Sequence, residues 1–174
     1  MTVSPHARAA AIAALVVSLI VPGALSAEQL GPSGLPLPRF ASTKAAPVNV
    51  RQGPTREHEV AWTFVKAGVP VEITQEYDIW LRIRDSEGQE GWVQKTLLSG
   101  KRTALVTPWE KKGRTPLREK SEAGARIVAE IEGGVLVEIS ECTGRWCRAS
   151  VEGVKGWIEQ GRLWGAYPEE VFRS

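Results

Sequence analysis

Apolar and polar residues alternate with a period of two in several stretches of the chain. In residues 69–74 every second position is valine or isoleucine, beginning with Val69, and residues 135–140 alternate in the same way, beginning with Val135. This pattern, rich in β-branched residues, is typical of a strand that buries one face. No window shows the 3.6-residue stripe of an amphipathic helix. The pattern therefore predicts an all-β protein built from short strands.

Turn residues separate these strands. Residues 79–84 form a second alternating run, the Asp-Ser-Glu-Gly stretch at 85–88 has turn chemistry, and a further strand begins at Gly91. Gly68 and Gly134 each precede an alternating run, where a tight turn requires a positive φ that glycine adopts without strain. We therefore expect short strands joined by tight turns.

The same succession of motifs occurs twice. Residues 68–73 (Gly-Val-Pro-Val-Glu-Ile) return 66 residues later as residues 134–139 (Gly-Val-Leu-Val-Glu-Ile). The other pairs, in the same order, are 48–51 with 115–118, 80–82 with 146–148, and 91–93 with 156–158. A period this long exceeds a solenoid turn and indicates a duplicated small domain. About five strands per copy are too few for a two-sheet immunoglobulin sandwich and suit a small bent barrel.

The predicted fold is therefore two tandem five-stranded barrels. We expect the first at residues 47–100 and the second at residues 101–166, followed by a C-terminal tail at residues 167–174. Residues 28–46 contain a run of prolines and glycines without any period, which predicts an extended linker. A ligand for a proline-binding groove is the alternative interpretation of that run.

Residues 1–27 have the pattern of a secretory signal peptide. Arg8 provides a basic start, residues 9–21 are apolar except for Ser18, and small residues surround the predicted cleavage near Ser26 or Ala27. The apolar run is shorter than the roughly 20 residues that span a bilayer as a helix. An uncleaved anchor and a buried helix are the alternatives. Cleavage would give a periplasmic or secreted protein without stable membrane insertion.

The charge balance argues against nucleic acid as a partner. The formal net charge is +2, and removal of residues 1–27 would remove one base and no acid. Nucleic-acid-binding domains usually carry a basic stripe, which this sequence lacks.

Cys142 and Cys147 are the only cysteines. In an oxidising compartment such a pair usually forms a disulfide, and the three residues between Cys142 and Trp146 suit a hairpin turn. A pair of buried free thiols and a redox couple are the alternatives, although a redox couple usually has Cys-x-x-Cys spacing.

The sequence offers no catalytic set. His58 is the single histidine outside the predicted signal peptide, so we expect no metal site and no Cys–His hydrolase. We expect no organic cofactor, since no phosphate-binding glycine loop is present. Carboxylate pairs such as Asp85 with Glu87, or Glu169 with Glu170, are interpreted as solvated charge rather than as an acid and base.

Seven tryptophans are the unusual feature of the composition. Trp80 and Trp146 occupy equivalent positions, and their strand parity places them on the same face as Arg82 and Arg148, opposite the apolar residues. We therefore predict a ligand-binding surface made of Trp80, Arg82, Trp146 and Arg148. Packing of the two barrels against each other is the alternative role, and Trp92 and Trp157 are interpreted as structural.

These motifs together resemble the bacterial SH3-like (SH3b) family in the tandem form found in exported proteins of Gram-negative bacteria. The matching stretches are residues 50–54, 68–73, 80–85, 88–93 and 102–106, to which the second copy adds residues 142–148, 156–158 and 163–165. The resemblance implies SH3-like barrels that act as non-catalytic binding modules, often directed at the cell wall. The proline and final tyrosine of the last strand of eukaryotic SH3 domains are missing after Gly91 and Gly156, so polyproline binding is not implied.

Three hypotheses about function follow. The first is an exported binding or scaffolding protein that recognises peptidoglycan or an envelope protein. The second is an accessory or regulatory subunit of a separate murein hydrolase. The third, a cell-wall hydrolase, lacks a recognisable nucleophile, metal set and cleft in the sequence.

Overall fold

A computed structural model describes residue 1 and residues 29–174. These residues form seventeen strands and two short 3₁₀ turns, and no α-helix occurs among them. The all-β prediction is therefore confirmed, whereas the predicted signal peptide lies outside residues 29–174. The strands of the first half are β1 (Gln29–Leu30), β2 (Pro36–Leu37), β3 (Arg39–Thr43), β4 (Val48–Arg51), β5 (Val60–Phe64), β6 (Pro70–Tyr77), β7 (Trp80–Arg84), β8 (Glu90–Gln94) and β9 (Leu98–Ser99). Those of the second half are β10 (Thr103–Val106), β11 (Arg114–Arg118), β12 (Ile127–Glu132), β13 (Leu136–Thr143), β14 (Trp146–Val151), β15 (Val154–Glu159), β16 (Leu163–Trp164) and β17 (Val171–Arg173).

The strands assemble into two main sheets with the same topology. The order is β5-β4-β8-β7-β6-β3-β9 in the first sheet and β12-β11-β15-β14-β13-β10-β16 in the second, where β17 also pairs with β13. Every strand of the first sheet thus has a counterpart at the same place in the second, as a duplication predicts. We call residues 39–99 the first module and residues 103–173 the second module.

The two modules also share their irregularities. The pairing of β6 with β7 shifts register between Ile73 and Gln75, and the pairing of β13 with β14 shifts between Ile139 and Glu141. A bulge of this kind bends the strand and increases its twist. The bend therefore occurs at the same place in both copies of the sheet.

A glycine precedes the long strand of each module. Gly68 has φ 77° before β6, and Gly134 has φ 83° before β13. Residues other than glycine are strained in this left-handed region, so these positive φ values confirm the turn predicted from the sequence.

Each module encloses its own apolar core. Most of the alternating residues predicted to face inward are buried, namely Val71, Ile73, Leu81, Ile83, Val137 and Ile139. At the starts of the runs the prediction fails, because Val69 and Val135 are only partly buried and Ile79 is 40% exposed. The first core includes Val48, Val50, Val71, Ile73, Leu81, Ile83 and Val93. The second includes Ala104, Val106, Leu117, Val137, Ile139, Cys147 and Ile158. Full burial of one valine, leucine or isoleucine side chain contributes about 1.5–3 kcal/mol, so these clusters are the main source of stability.

The predicted linker contains a structural strand. Residues 39–43 form β3, which pairs with β6 and β9, and Phe40 and Ala41 are buried. The expectation that all of residues 28–46 form an extended tether with little to pack is therefore wrong. The apolar residues that follow Pro38 complete the first sheet, because Ala41 pairs with Val71 as Ala104 pairs with Val137 in the second module.

The C-terminal residues also pack on the second module. β17 pairs with β13, and the Arg102 guanidinium lies 4.2 Å from the centre of the Phe172 ring. Arg102 forms an ion pair of 2.8 Å with Glu170, and the amide of the buried Gln160 donates to the backbone carbonyls of Tyr167 and Glu170. Residues 167–173 are therefore an ordered part of the second module rather than a separate tail.

Polar and aromatic contacts join the modules. The Thr103 hydroxyl donates to the carbonyl of Gly68 over 2.7 Å and lies 2.8 Å from the Ser42 hydroxyl. The Phe40 ring centre lies 5.3 Å from that of Trp164 and 4.7 Å from that of Tyr167. These contacts pack β3 of the first module against the second module.

Candidate functional site

In the first module Gly91 on β8 allows β4 to approach β8 closely. A Cβ atom on Gly91 would lie 2.5 Å from Val50 Cγ1 and 2.9 Å from the Arg51 carbonyl oxygen, so only glycine fits. The next residue, Trp92, then lies directly opposite Arg51 on β4 and opposite Arg82 on β7. Opposite residues of antiparallel strands share a face, with Cβ atoms about 4.5–5.5 Å apart. The partly exposed Trp92 therefore has an arginine on each side.

The second module repeats this arrangement. A Cβ atom on Gly156 would lie 2.6 Å from the Arg118 carbonyl oxygen and 2.7 Å from Leu117 Cγ. Trp157 lies opposite Arg118 on β11 and opposite Arg148 on β14. We call these two sets of three side chains the Arg–Trp–Arg rows. Each row combines an aromatic face with guanidinium donors on the outside of a sheet.

One arginine of each row also holds a loop in place. Arg51 Nη1 donates to the carbonyl of His58 over 2.6 Å, and Arg118 Nη1 donates to the carbonyl of Ala125 over 2.9 Å. Both bonds span seven residues, so the loop beside the row is anchored in the same way in both modules. His58 lies in this exposed loop, as the sequence predicts.

The predicted surface positions of Trp80 and Trp146 are wrong. Their exposed fractions are 6% and 4%, so neither ring is available to a ligand in this structure. Each is the first residue of its strand, next to a hairpin turn, where strand alternation no longer decides burial. Trp80 borders a small recess of about 300 Å³ together with Pro47 and Leu97, both of which lie outside the strands.

Arg82 and Arg148 do lie on the outer surface, but beside different tryptophans from those predicted. The structure brings them together with Trp92 and Trp157, for which the sequence predicts a structural role. The signal that could have identified them is the repeated Gly-Trp pair, since its tryptophan shares strand parity with neighbouring polar residues.

The predicted disulfide is confirmed. Cys142 and Cys147 are bridged and are direct partners across the β13–β14 hairpin, with Cα atoms 4.1 Å apart. Thr143 closes the turn, because its hydroxyl donates to the carbonyl of Trp146 over 3.2 Å. The bridge fixes one hairpin of the second module, on the strand that also receives β17.

The carboxylate of Asp85 has a structural role. Its Oδ1 accepts hydrogen bonds from the backbone N–H groups of Glu87, over 2.9 Å, and Gln89, over 2.8 Å. Asp85 is 9% exposed, so it stabilises the β7–β8 turn and is not the solvated charge expected from the sequence.

A second recess lies beside residues 29–38, which we call the N-terminal segment. It measures about 630 Å³ and is lined by residues of both this segment and the first module, including Leu35, Phe40 and Leu81. Ser33 closes one side by donating from its backbone N–H and its hydroxyl to Glu76, over 2.8 Å and 2.7 Å. The segment that follows the predicted cleavage site is therefore attached to the first module.

Residues 29–174 contain no group of three or more histidine, cysteine, aspartate or glutamate side chains arranged to hold a metal ion. Within the same range, no helix is long and apolar enough to cross a membrane.

A family model described as the bacterial SH3 domain matches residues 44–100 and again residues 111–165. The chain belongs to the bacterial SH3 domain family. The first match includes β4–β9 and the second includes β11–β16, whereas β3, β10 and β17 lie outside the matched ranges. The resemblance noted in the sequence is therefore confirmed, and the modules are tandem SH3-like binding modules.

The solved structures that this chain overlaps include three proteins of low similarity. NlpC1 from Trichomonas vaginalis has 12% identity and a TM-score of 0.34, with coverage of 85% of this chain and 50% of that one. NlpC2 from the same organism has 12% identity and a TM-score of 0.33, with coverage of 73% and 48%. An NlpC/P60 family protein from Bacillus cereus has 12% identity and a TM-score of 0.33, with coverage of 78% and 57%. This chain thus spans about half the length of these proteins, and an overlap this weak has no functional implication. No match was found among curated proteins.

Proposed function

We propose that this protein is an exported, non-catalytic binding or scaffolding protein whose two SH3 modules recognise a cell-envelope ligand, either peptidoglycan or an envelope protein. The Arg–Trp–Arg rows are the proposed contact surfaces. Arg82 and Arg148 keep the role expected from the sequence, and Trp92 and Trp157 replace Trp80 and Trp146.

The observation that carries this proposal is the repetition of the row in both modules. An aromatic ring offers a flat apolar face against which a sugar ring or a peptide packs, and arginine donates hydrogen bonds in a fixed planar geometry. Trp92 and Trp157 are neither fully buried nor needed to fill the two core clusters. Two equivalent surfaces on one chain also favour binding to a repetitive polymer, because the second contact becomes intramolecular.

Export is proposed from two independent features. Residues 1–27 have the composition of a signal peptide, with cleavage near Ser26 or Ala27. The disulfide in the second module is of a kind that persists in oxidising compartments such as the bacterial periplasm. We therefore propose a periplasmic or secreted location.

The test is sedimentation of the purified protein with two preparations from Gram-negative cells. The first is whole cell envelope, which contains peptidoglycan and envelope proteins, and the second is sacculi stripped of protein. We expect retention on whole envelope. Retention on both indicates direct binding to peptidoglycan, whereas retention on whole envelope alone indicates a protein partner. Absence of retention on either preparation would contradict the proposal.

If a protein partner is indicated, the alternative of an accessory subunit becomes testable. A murein hydrolase recovered by pull-down, whose activity changes when this chain is added, would support the alternative. A non-hydrolytic envelope protein would support a scaffolding role.

A further inference from the structure

A polar groove lies beside the Arg–Trp–Arg row of the second module. It measures about 650 Å³, and its lining includes Arg102, Glu138, Arg148, Lys155 and Arg173. The lining also includes Ser140 and Ser150. The groove is therefore rich in hydrogen-bond donors and has more basic than acidic side chains.

Most of the basic groups in this groove already have acidic partners. Lys101 forms an ion pair with Glu138, and Arg173 forms one of 2.5 Å with Glu141. Arg102 is paired with Glu170, outside the groove. Such partners satisfy the charge locally and leave these cations less available to a ligand.

Arg148 and Lys155 differ, because neither forms an ion pair or a side-chain hydrogen bond within residues 29–174. Trp157 is the direct partner of Arg148, and Lys155 is the direct partner of Ser150 on the same face. Arg148 and Lys155 are thus diagonal neighbours across the strands, a relationship that corresponds to about 7–8 Å between residues. Two unpaired cations at this spacing repel each other, and an anion between them removes that repulsion.

The first module shows what a neutralised version of this surface looks like. There Arg82 forms an ion pair of 2.6 Å with Glu90. Glu90 lies two residues before Trp92, and Lys155 lies two residues before Trp157, so the two positions are equivalent. The second module therefore has a base where the first module has an acid, and Arg148 has lost the partner that Arg82 retains.

We propose that the second module binds an anionic group, a carboxylate or a phosphate, between Arg148 and Lys155, and that the first module lacks this site because Glu90 occupies Arg82. This specificity rests on the ligand surface proposed above and adds to it a chemical class. Charge-assisted hydrogen bonds from a guanidinium and an ammonium are the strong interactions for both kinds of anion. The two modules then share an aromatic contact but differ in their preference for charge.

The test is an NMR titration of the isotopically labelled full protein with sodium acetate or sodium phosphate, against sodium chloride at constant ionic strength. We expect saturable shifts at the Arg148 and Lys155 amides and at the Trp157 indole, without equivalent shifts at Arg82 and Trp92. The anion that binds more tightly identifies whether carboxylate or phosphate is preferred.

Two reciprocal variants and one control make the test specific. Lys155→Glu should weaken anion binding at least about tenfold, since it copies the first module. Glu90→Lys should create saturable binding at Arg82. Lys112→Glu changes the net charge equally at an exposed position outside the groove and should leave binding unchanged.

Shifts that do not saturate, that persist in Lys155→Glu, or that weaken equally in Lys112→Glu would overturn the anion site. If anion binding is as expected but the protein is not retained on envelope, only the proposed function fails. If envelope retention is unaffected while anion binding is absent, only the anion site fails.

Discussion

The phenolic hydroxyl of Tyr167, in the C-terminal segment, donates a hydrogen bond of 2.9 Å to the carboxylate of Glu72 in the first module. Glu72 is 3% exposed and also accepts a hydrogen bond of 2.8 Å from Arg84 Nε. Burial, followed by the negative charge of Glu72, raises the pKa of Tyr167, so its hydroxyl remains protonated and continues to donate. The ring of Tyr167 also packs against Phe40. One residue thus joins the C-terminus to the first module.

Replacing Tyr167 with phenylalanine should weaken the contact between the modules. The ring that packs on Phe40 is kept, but a buried carboxylate loses a donor, which costs about 1.5–3 kcal/mol. Urea denaturation of Tyr167→Phe should show this decrease in the free energy of unfolding. Tyr77→Phe, at a residue that is 59% exposed, is the control and should leave stability unchanged. Equal stability of both variants would show that the hydrogen bond contributes nothing.

The disulfide should stabilise one hairpin rather than the whole protein. By restricting the unfolded chain, a disulfide that closes a loop this short stabilises the folded state by about 2 kcal/mol, which is less than a longer loop provides. In the variant with Cys142→Ser and Cys147→Ser, amide hydrogen exchange should accelerate in β13, β14 and β17. The equivalent hairpin β6–β7 of the first module is the internal control. The same acceleration in both hairpins would contradict a local effect.

Glu76 should make the stability of the first module sensitive to acid. Burial alone would raise the pKa of the Glu76 carboxyl, but hydrogen bonds from Ser33 and Arg39 outweigh it, and the pKa is lowered from 4.5. A lowered pKa in the folded state means that this stability is fully present above about pH 4.5 and is lost as the pH falls through the lower folded value. We expect Glu76→Gln to be less stable than the wild type at pH 7 by about 1–3 kcal/mol.

The measurement is the free energy of unfolding in urea between pH 7 and pH 3. The difference between the wild type and Glu76→Gln should shrink towards acid, because both carry a neutral group there. Glu138→Gln removes an exposed carboxylate and should follow the wild-type curve. Parallel curves for the wild type and Glu76→Gln would mean that Glu76 does not retain the N-terminal segment by its charge.

Trp146 should behave as a core residue. Trp146→Ala removes a side chain that is 4% exposed and should lower the free energy of unfolding by about 3–5 kcal/mol. Trp109 is 61% exposed, so Trp109→Ala should change stability by less than about 0.5 kcal/mol. Chemical denaturation compares the two. A stable Trp146→Ala protein that has lost envelope retention would restore the ligand role predicted from the sequence.

Much of the fold was accessible from the sequence because local patterns determine it. The alternation at Val71 and Ile73 predicts the buried face of β6, and Gly68 predicts the turn before that strand. The motifs repeated around Trp80 and Trp146 reveal the duplication. Each of these features is recognisable in short stretches of sequence, so one sequence was sufficient.

The site depended on pairing between distant strands, which alternation does not specify. Trp92 meets Arg51 only because Gly91 lets β8 approach β4, and β7 brings Arg82 to the other side. Trp80 shares strand parity with Arg82, yet it is buried at the first position of its strand. The strand at residues 39–43 was missed because the prolines before it suggested a linker, although Ala41 matches Ala104 of the second copy.

Retention on whole cell envelope tests most directly whether the Arg–Trp–Arg rows form the ligand surface. The test protein combines Trp92→Ala with Trp157→Ala, and Trp109→Ala is the control that removes an exposed ring outside the rows. A second test protein, Arg82→Gln with Arg148→Gln, keeps both rings in case their removal impairs folding.

Both double variants should lose affinity for the envelope, whereas Trp109→Ala should bind normally. Truncation of an aromatic anchor costs about 2 kcal/mol or more, so the tryptophan variant should lose roughly thirtyfold or more in affinity. Its unfolding transition must remain cooperative for the comparison to count. Wild-type retention by both folded double variants would show that the Arg–Trp–Arg rows are not the ligand surface.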